Sequence, residues 1–212
     1  MNGRIAIFVH QPKCSIQSSN GIIKALDGKY KFKIFTRHEV EAGFFDDVDL
    51  ICVPGGIGNS DSFDYLMKEN ATPIKEFLKK GGKYLGICMG AYWADSDYFD
   101  ILDDMRVVQY IRQPNTCTRR PHAKLLTTIW NNKQEKLYFY DGCAITGNRN
   151  KFQTIATYLN GDPMAVIQDN IGLIGCHPEA EDHWFESYSW LKGKYIDQKR
   201  LLPDFVEILL NK

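Results

Sequence analysis

Three apolar runs in this chain carry almost no polar residue, and each stops abruptly at a residue that breaks a strand. Arg4 to His10 holds Ile5, Ala6, Ile7, Phe8 and Val9; Asp49 to Val53 ends in Pro54-Gly55-Gly56; Tyr84 to Ile87 ends at Cys88, with Gly86 and Gly90 around it. A strand without polar alternation is buried on both faces, and such strands belong to parallel sheets covered on both sides. The segments between them supply the covers. Ser18 to Gly28 places Ile22, Ile23 and Leu26 on one helical face. Thr72-Pro73 opens a second helix with the face Ile74, Phe77 and Leu78, closed by Lys79-Lys80-Gly81-Gly82. Tyr30 to Thr36 alternates apolar residues with lysines, as an outer strand does. The expected fold is therefore α/β, a doubly wound, mostly parallel sheet with right-handed crossovers. Sites in such sheets lie beyond the carboxyl ends of the strands. His10, Pro54-Gly55-Gly56 and Cys88 should all converge there.

The second half carries a different pattern. Arg106 to Tyr110, Ala123 to Trp130, Lys136 to Tyr140, Phe152 to Leu159 and Ala165 to Ile167 read as shorter strands, with turn signals at Asn131-Asn132 and Asp141-Gly142. These add antiparallel strands to the sheet. Ile171 to Cys176 returns to its centre, and helices at His183 to Leu191 and Pro203 to Leu210 finish the chain. With 212 residues and no linker-like stretch, a single domain over residues 1–212 is expected.

Cys88 is the residue on which chemistry would turn. A thiol titrates near ~8.5 and needs help to ionise at neutral pH. A sharp strand-to-helix turn holds the sulfur at the positive end of the next helix, and flanking glycines relieve the crowding there. The alternative is a buried structural cysteine, which Cys52, within an apolar run, fits well. Cys88 fits it poorly, since its glycine neighbours add no packing. His177 follows an apolar strand, and Pro178 keeps its backbone extended. Glu179, two residues on, can bond the far ring nitrogen, fixing the tautomer and stabilising the imidazolium. A nucleophile, a base and an orienter are the parts of a covalent hydrolytic site. Gly55 and Gly56, with the N–H of Met89, are candidate donors to an oxyanion. For the two glycines an ordinary tight turn is the competing explanation.

Other features are plainer. Cys176, His177, Glu179 and His183 match no closed zinc spacing, so no metal is expected, and no cofactor motif is found. Arg119-Arg120 reads as a solvated loop pair, and Trp184, Tyr188 and Leu191 as core. Lys plus Arg and Asp plus Glu both count 26, so nothing in the charge points to nucleic acid or a membrane surface. None of the six cysteines forms a Cys-x-x-Cys pair, and no secretory signal or membrane-length apolar run is found. The expectation is a cytoplasmic protein with free thiols.

Taken together, these motifs resemble the class I glutamine amidotransferase-like superfamily. More closely, the chain is similar to the family named for the amino-terminal domain of biotin-protein ligases. The resemblance rests on Val53-Pro54-Gly55-Gly56, Phe77 through Tyr92, Tyr138 to Gly142, and Gly172 through Ala180. It implies a flavodoxin-like sheet and a triad in which Cys88 is the nucleophile, His177 the base and Glu179 the orienter. One position departs from the pattern. Glutaminases of this class carry Gly-x-Cys-x-Gly-x-Gln, and here Tyr92 stands in the place of the glutamine that helps hold the substrate. The resemblance therefore does not extend to glutamine itself. Nor do these residues include a synthetase region to receive ammonia or a biotin-ligase catalytic region. The expected activity is thiol-dependent hydrolysis of a small amide or peptide-like bond. The alternatives are a silent glutaminase-like module that binds a protein partner, and a redox or stress protein with an elbow cysteine.

Overall fold

The computed structural model describes residues 3–10 and 15–212, so Cys14 lies outside it. The strands are β1 Arg4–Phe8, β2 Lys31–Phe35, β3 Leu50–Val53, β4 Lys83–Ile87, β5 Met105–Gln109, β6 Lys124–Trp130, β7 Lys133–Phe139, β8 Cys143–Gly147, β9 Gln153–Tyr158, β10 Pro163–Gln168 and β11 Ile171–Ile174. The helices are α1 Ile16–Leu26, α2 Ser60–Leu66, α3 Ala71–Lys79, α4 Met89–Trp93, α5 Asp182–Glu186 and α6 Leu201–Leu210. Ser15 starts α1 by accepting the Ser18 N–H at 3.1 Å, the bond that a helix entrance needs for its unpaired donors.

A nine-stranded sheet runs in the order β2-β1-β3-β4-β11-β10-β9-β6-β7. The first five strands are parallel, and β10, β9, β6 and β7 extend the sheet antiparallel. β5 and β8 form a separate antiparallel ribbon. Alternation along the parallel strands divides the core. Ile5, Ile7, Leu50, Cys52, Leu85 and Ile87 face one layer with Ile22 and Leu26 of α1 and Phe205 and Leu209 of α6. Ala6, Phe8, Ile51, Val53 and Tyr84 face the other with Phe63 of α2, Ile74 and Phe77 of α3, and Met89 and Trp93 of α4. Each large side chain withdrawn from water in this way contributes about 1.5–3 kcal/mol. The sheet is thus mixed and doubly wound, as the apolar runs require, with β2 at its outer edge.

Three details differ from expectation. The sequence patterns did not reveal α2 or β8. The helix expected over His183–Leu191 is the five-residue α5, followed by turns. Trp184 and Leu191 are nevertheless buried, against Tyr138 and Ala123 in a third cluster, and the Trp190 indole donates to the Ala123 carbonyl at 2.8 Å. Tertiary packing, rather than continued helix, brings Leu191 into this cluster. No helix among the described residues is long and apolar enough to cross a membrane.

Candidate active site

β4 and β11 are neighbours in register, with Ile87 opposite Ile174. Their carboxyl ends therefore deliver Cys88 and the Gly175-Cys176-His177 segment side by side. On the other flank β3 pairs with β4, Val53 opposite Gly86, and its end delivers Pro54-Gly55-Gly56. His10, at the end of β1, packs edge-on against Tyr65, with ring centroids 5.6 Å apart, and does not line the cavity described below.

Cys88 has φ 50° and ψ −100°, a backbone conformation that costs a non-glycine residue on the order of 1–3 kcal/mol. Its surroundings enforce it. The Cys88 N–H donates to the Ile174 carbonyl at 2.8 Å, the Tyr92 N–H to the Cys88 carbonyl at 3.0 Å, and the Gly90 N–H to the Pro54 carbonyl at 3.2 Å. The flanking glycines are required sterically. A Cβ at residue 90 would lie 2.0 Å from the Val53 carbonyl oxygen, and one at residue 86 would lie 2.4 Å from that of Gly90. The following helix, α4, has only five residues. Its dipole is accordingly small, and the help it gives the sulfur is that of its nearest N–H groups. Asp95 ends it by drawing the chain into a turn, accepting from the Ser96 N–H at 2.6 Å and pairing with Arg106 at 2.7 Å.

His177 is buried beside the elbow. Its N–H donates to the Tyr138 carbonyl at 2.9 Å, and its ring meets Trp184 and Tyr138 edge-on, with centroids 5.4 and 6.0 Å away. Nδ1 lies 2.9 Å from Glu179 Oε1. Burial acts to lower the imidazole pKa, but the charges of Glu179 and Cys88, with hydrogen bonds to both, outweigh it and push the group up to about 10. Glu179 is fully buried, and its Oε1 also accepts from Ser18 Oγ at 2.7 Å. The same Ser18 oxygen accepts the Gly55 N–H at 3.0 Å.

That last bond changes the place of Gly55. Its N–H is already engaged, and a Cβ there would lie 2.7 Å from Cε1 of His177. Gly55 makes room for the imidazole, and its donor is turned away from the cavity. Gly56 and Met89 do line the cavity, together with Cys88 and Tyr92. Met89 is the first residue of α4, so its N–H has no acceptor within that helix.

Ser18 escaped the sequence reading. The signal was present, since Ser18, Ile22 and Leu26 are four residues apart and share one stripe. A hydroxyl on a buried stripe needs a buried partner.

The cavity holds about 470 Å³ and is walled by Tyr92, Tyr98, Tyr140, Ile57, Gln109 and Asp141 besides the residues above. Tyr92 donates its hydroxyl to the Asp141 carbonyl at 3.2 Å, and burial pushes its phenol pKa up. The Cys88 sulfur lies 3.7 Å from the Tyr140 carbonyl oxygen. A larger hollow of about 670 Å³ lies between Val40–Asp49 and the start of β4, at the opposite sheet edge. Burial pushes the Cys143 and Cys176 thiols up, whereas Cys117 is exposed. Among the described residues no three His, Cys, Asp or Glu side chains are grouped to hold a metal ion. His183 is exposed on α5, and Arg119 caps the Gln113 carbonyl at 2.8 Å.

The fold is shared with solved glutamine amidotransferase structures. Residues 15–110 match the family described as "Biotin-protein ligase, N terminal". Three solved structures share the fold. PurLQS from Thermotoga maritima is 17% identical with a TM-score of 0.62, covering 99% of this chain and 100% of that one. A glutamine amidotransferase from the same organism is 17% identical with a TM-score of 0.63, over 100% and 94% of the two chains. A glutamine amidotransferase from Methylobacillus flagellatus is 11% identical with a TM-score of 0.56, over 100% and 90% of the two chains. No curated protein matches the chain.

Proposed function

We propose that the protein hydrolyses a small amide or peptide-like bond through Cys88, His177 and Glu179. The observation that carries this reading is the buried His177–Glu179 pair, with Nδ1 and Oε1 2.9 Å apart, set beside a cysteine held at φ 50°. A structural cysteine would not need that strain, and a structural histidine would not need a buried carboxylate. Names of fold relatives, glutamine amidotransferases among them, support the same class of chemistry.

His177 takes the Cys88 proton, and the sulfur attacks the carbonyl carbon, forming a C–S bond. The N–H groups of Gly56 and Met89 steady the oxyanion. The C–N bond breaks as His177 returns its proton to the leaving nitrogen, and a thioester remains. Water, deprotonated by His177, attacks the thioester; the C–S bond breaks, and the acid and the thiol are released. Glu179 holds the imidazolium throughout.

Tyr92 favours a second reading, a module that binds a small amide or a protein partner without turnover. One experiment separates the two. Ammonia or amine release is measured on a panel of small amides with the wild type and with Cys88→Ala. Alkylation by chloroacetamide is followed in parallel at Cys88 and at the exposed Cys117. Release that disappears in the variant, with Cys88 labelled faster than Cys117, is the expected result. No release from any amide, and Cys88 labelled no faster than Cys117, leaves the binding module.

A further inference from the structure

We propose that the cavity beside Cys88 selects amides whose far end carries a positive charge, an ammonium that pairs with the carboxylate of Asp141. This deepens the hydrolase reading and rests on it for the chemistry, but the charge preference can be measured without turnover.

The walls carry the inference. Among the described residues, no lysine, arginine or histidine lines the cavity, and Asp141 is the one carboxylate that does. A bound carboxylate would face Asp141 with no cation in the wall to offset the repulsion, and like charges in a half-buried site are unfavourable. An ammonium would gain a counter-ion there. It would also meet the rings of Tyr92, Tyr98 and Tyr140, whose faces attract cations.

Asp141 is also held in place more firmly than a loop residue needs to be. Its φ of 49° is the left-handed turn conformation that an aspartate tolerates. Its N–H donates to the Pro121 carbonyl at 2.8 Å, and its carbonyl accepts the Tyr92 hydroxyl at 3.2 Å. Both carboxylate oxygens face Gln109 Nε2, at 3.1 and 3.3 Å. That partner is neutral, so among the described residues the charge is positioned without a paired cation. Asp141 directly follows Tyr140, whose carbonyl oxygen is 3.7 Å from the Cys88 sulfur, and it lines the same cavity as that sulfur. In this arrangement Tyr92 acts on the ligand through Asp141, which gives a physical role to the residue that replaces the glutamine of the glutaminase pattern.

The test uses three amides of five carbons each, δ-aminovaleramide, valeramide and glutaramate, cationic, neutral and anionic at their far ends. Their binding to the full chain carrying Cys88→Ala is measured by calorimetry. The cation is expected to bind about tenfold more tightly than the neutral amide, the scale of one half-buried ion pair, and the anion most weakly. Adding Asp141→Asn should bring the cation to within about twofold of the neutral amide, again on that scale. Equal binding of all three, tighter binding of glutaramate, no binding of any at millimolar concentration, or a preference that survives Asp141→Asn would overturn the proposal. Turnover of the same amides by the wild type tests the hydrolase reading separately: ordered binding without turnover removes the hydrolase and keeps the charge preference.

Discussion

β1, β3, β4 and β11 are buried along nearly their whole length, whereas β6 and β7 alternate or begin exposed, as strands with one wet face do. The two halves of the sheet bring different parts to Cys88. The parallel half brings Cys88, His177, Glu179 and the Gly55-Gly56 turn, each just past a strand end fixed by register. The antiparallel strands and the ribbon bring Tyr138 of β7, Tyr140 and Asp141 in the link from β7 to β8, and Gln109 at the end of β5. Strand ends locked between buried neighbours cannot shift without moving the core. Links between strands can change residue by residue. Cys88, His177 and Glu179 are thus held by the least adjustable part of the molecule, and Tyr140, Asp141 and Gln109 of the cavity wall by a more adjustable one.

The largest effect that breaks this division should come from Glu179→Gln. The carboxylate accepts from both His177 and Ser18, and the amide removes the charge that stabilises the imidazolium. Amide hydrolysis should fall on the order of 10³-fold, with KM nearly unchanged because the residue lies behind the base. The same variant tests the linkage. His177 is raised to about 10 in the folded chain from an unfolded value near ~6.5. The charged pair therefore stabilises the fold fully below about pH 6.5 and loses that contribution as pH rises through about 10. Denaturant unfolding of the wild type and the variant should show the widest gap near about pH 6 and a narrowing gap toward about pH 10. A constant gap across that range would mean that His177 does not titrate against Glu179.

The parallel half was largely legible in the sequence, because its signals are local. An apolar run with a glycine-rich stop reports both a buried strand and the site at its end. Cys88, His177 and Glu179 could each be picked out from a segment of ten residues. The walls were not legible. Nothing near Asp141 in sequence announces that Gln109, 32 residues away, bonds its side chain, and the Ser18 bond to Glu179 spans 161 residues. β8 was hidden because Asp141-Gly142 reads as a turn while the strand after it is short. α2 was hidden because Ser60 to Leu66 has too few apolar residues to show a period. Gly55 was placed correctly at the edge but given the wrong job, since the hydroxyl that takes its N–H comes from a distant helix.

A glycine at the elbow should rank next. Gly90→Ala sets a Cβ against the Val53 carbonyl, backbone against backbone, where no rotamer can relieve it. A loss of about 3 kcal/mol in unfolding free energy is expected, measured as a lowered denaturant midpoint at unchanged slope. A loss below about 1 kcal/mol would show that the elbow has slack. Ser18→Ala should cost less. It removes one donor from a buried carboxylate that keeps its bond to His177, about 1–2 kcal/mol. The expected result is roughly a tenfold fall in kcat, with recovery in Ser18→Thr where the added methyl is accommodated. A fall in stability alone, with kcat intact, would make Ser18 a packing residue.

The smallest effect should come from the wall, and it sharpens the comparison most. Tyr92→Phe removes only the hydroxyl that bonds the Asp141 carbonyl at 3.2 Å. The ring stays on α4, so the elbow and the His177–Glu179 pair are untouched, and the cost in stability should be about 0.5–1.5 kcal/mol. If the two halves are separable, alkylation of Cys88 by a small neutral reagent keeps its rate. Only the discrimination between cationic and neutral amides then weakens, by a factor of about two to five, because Asp141 is still held by Gln109 and Pro121. A change in the Cys88 alkylation rate of the same size would instead couple wall to nucleophile. Tyr92 would then belong to the reacting half, on which the departure from the glutaminase pattern would act directly.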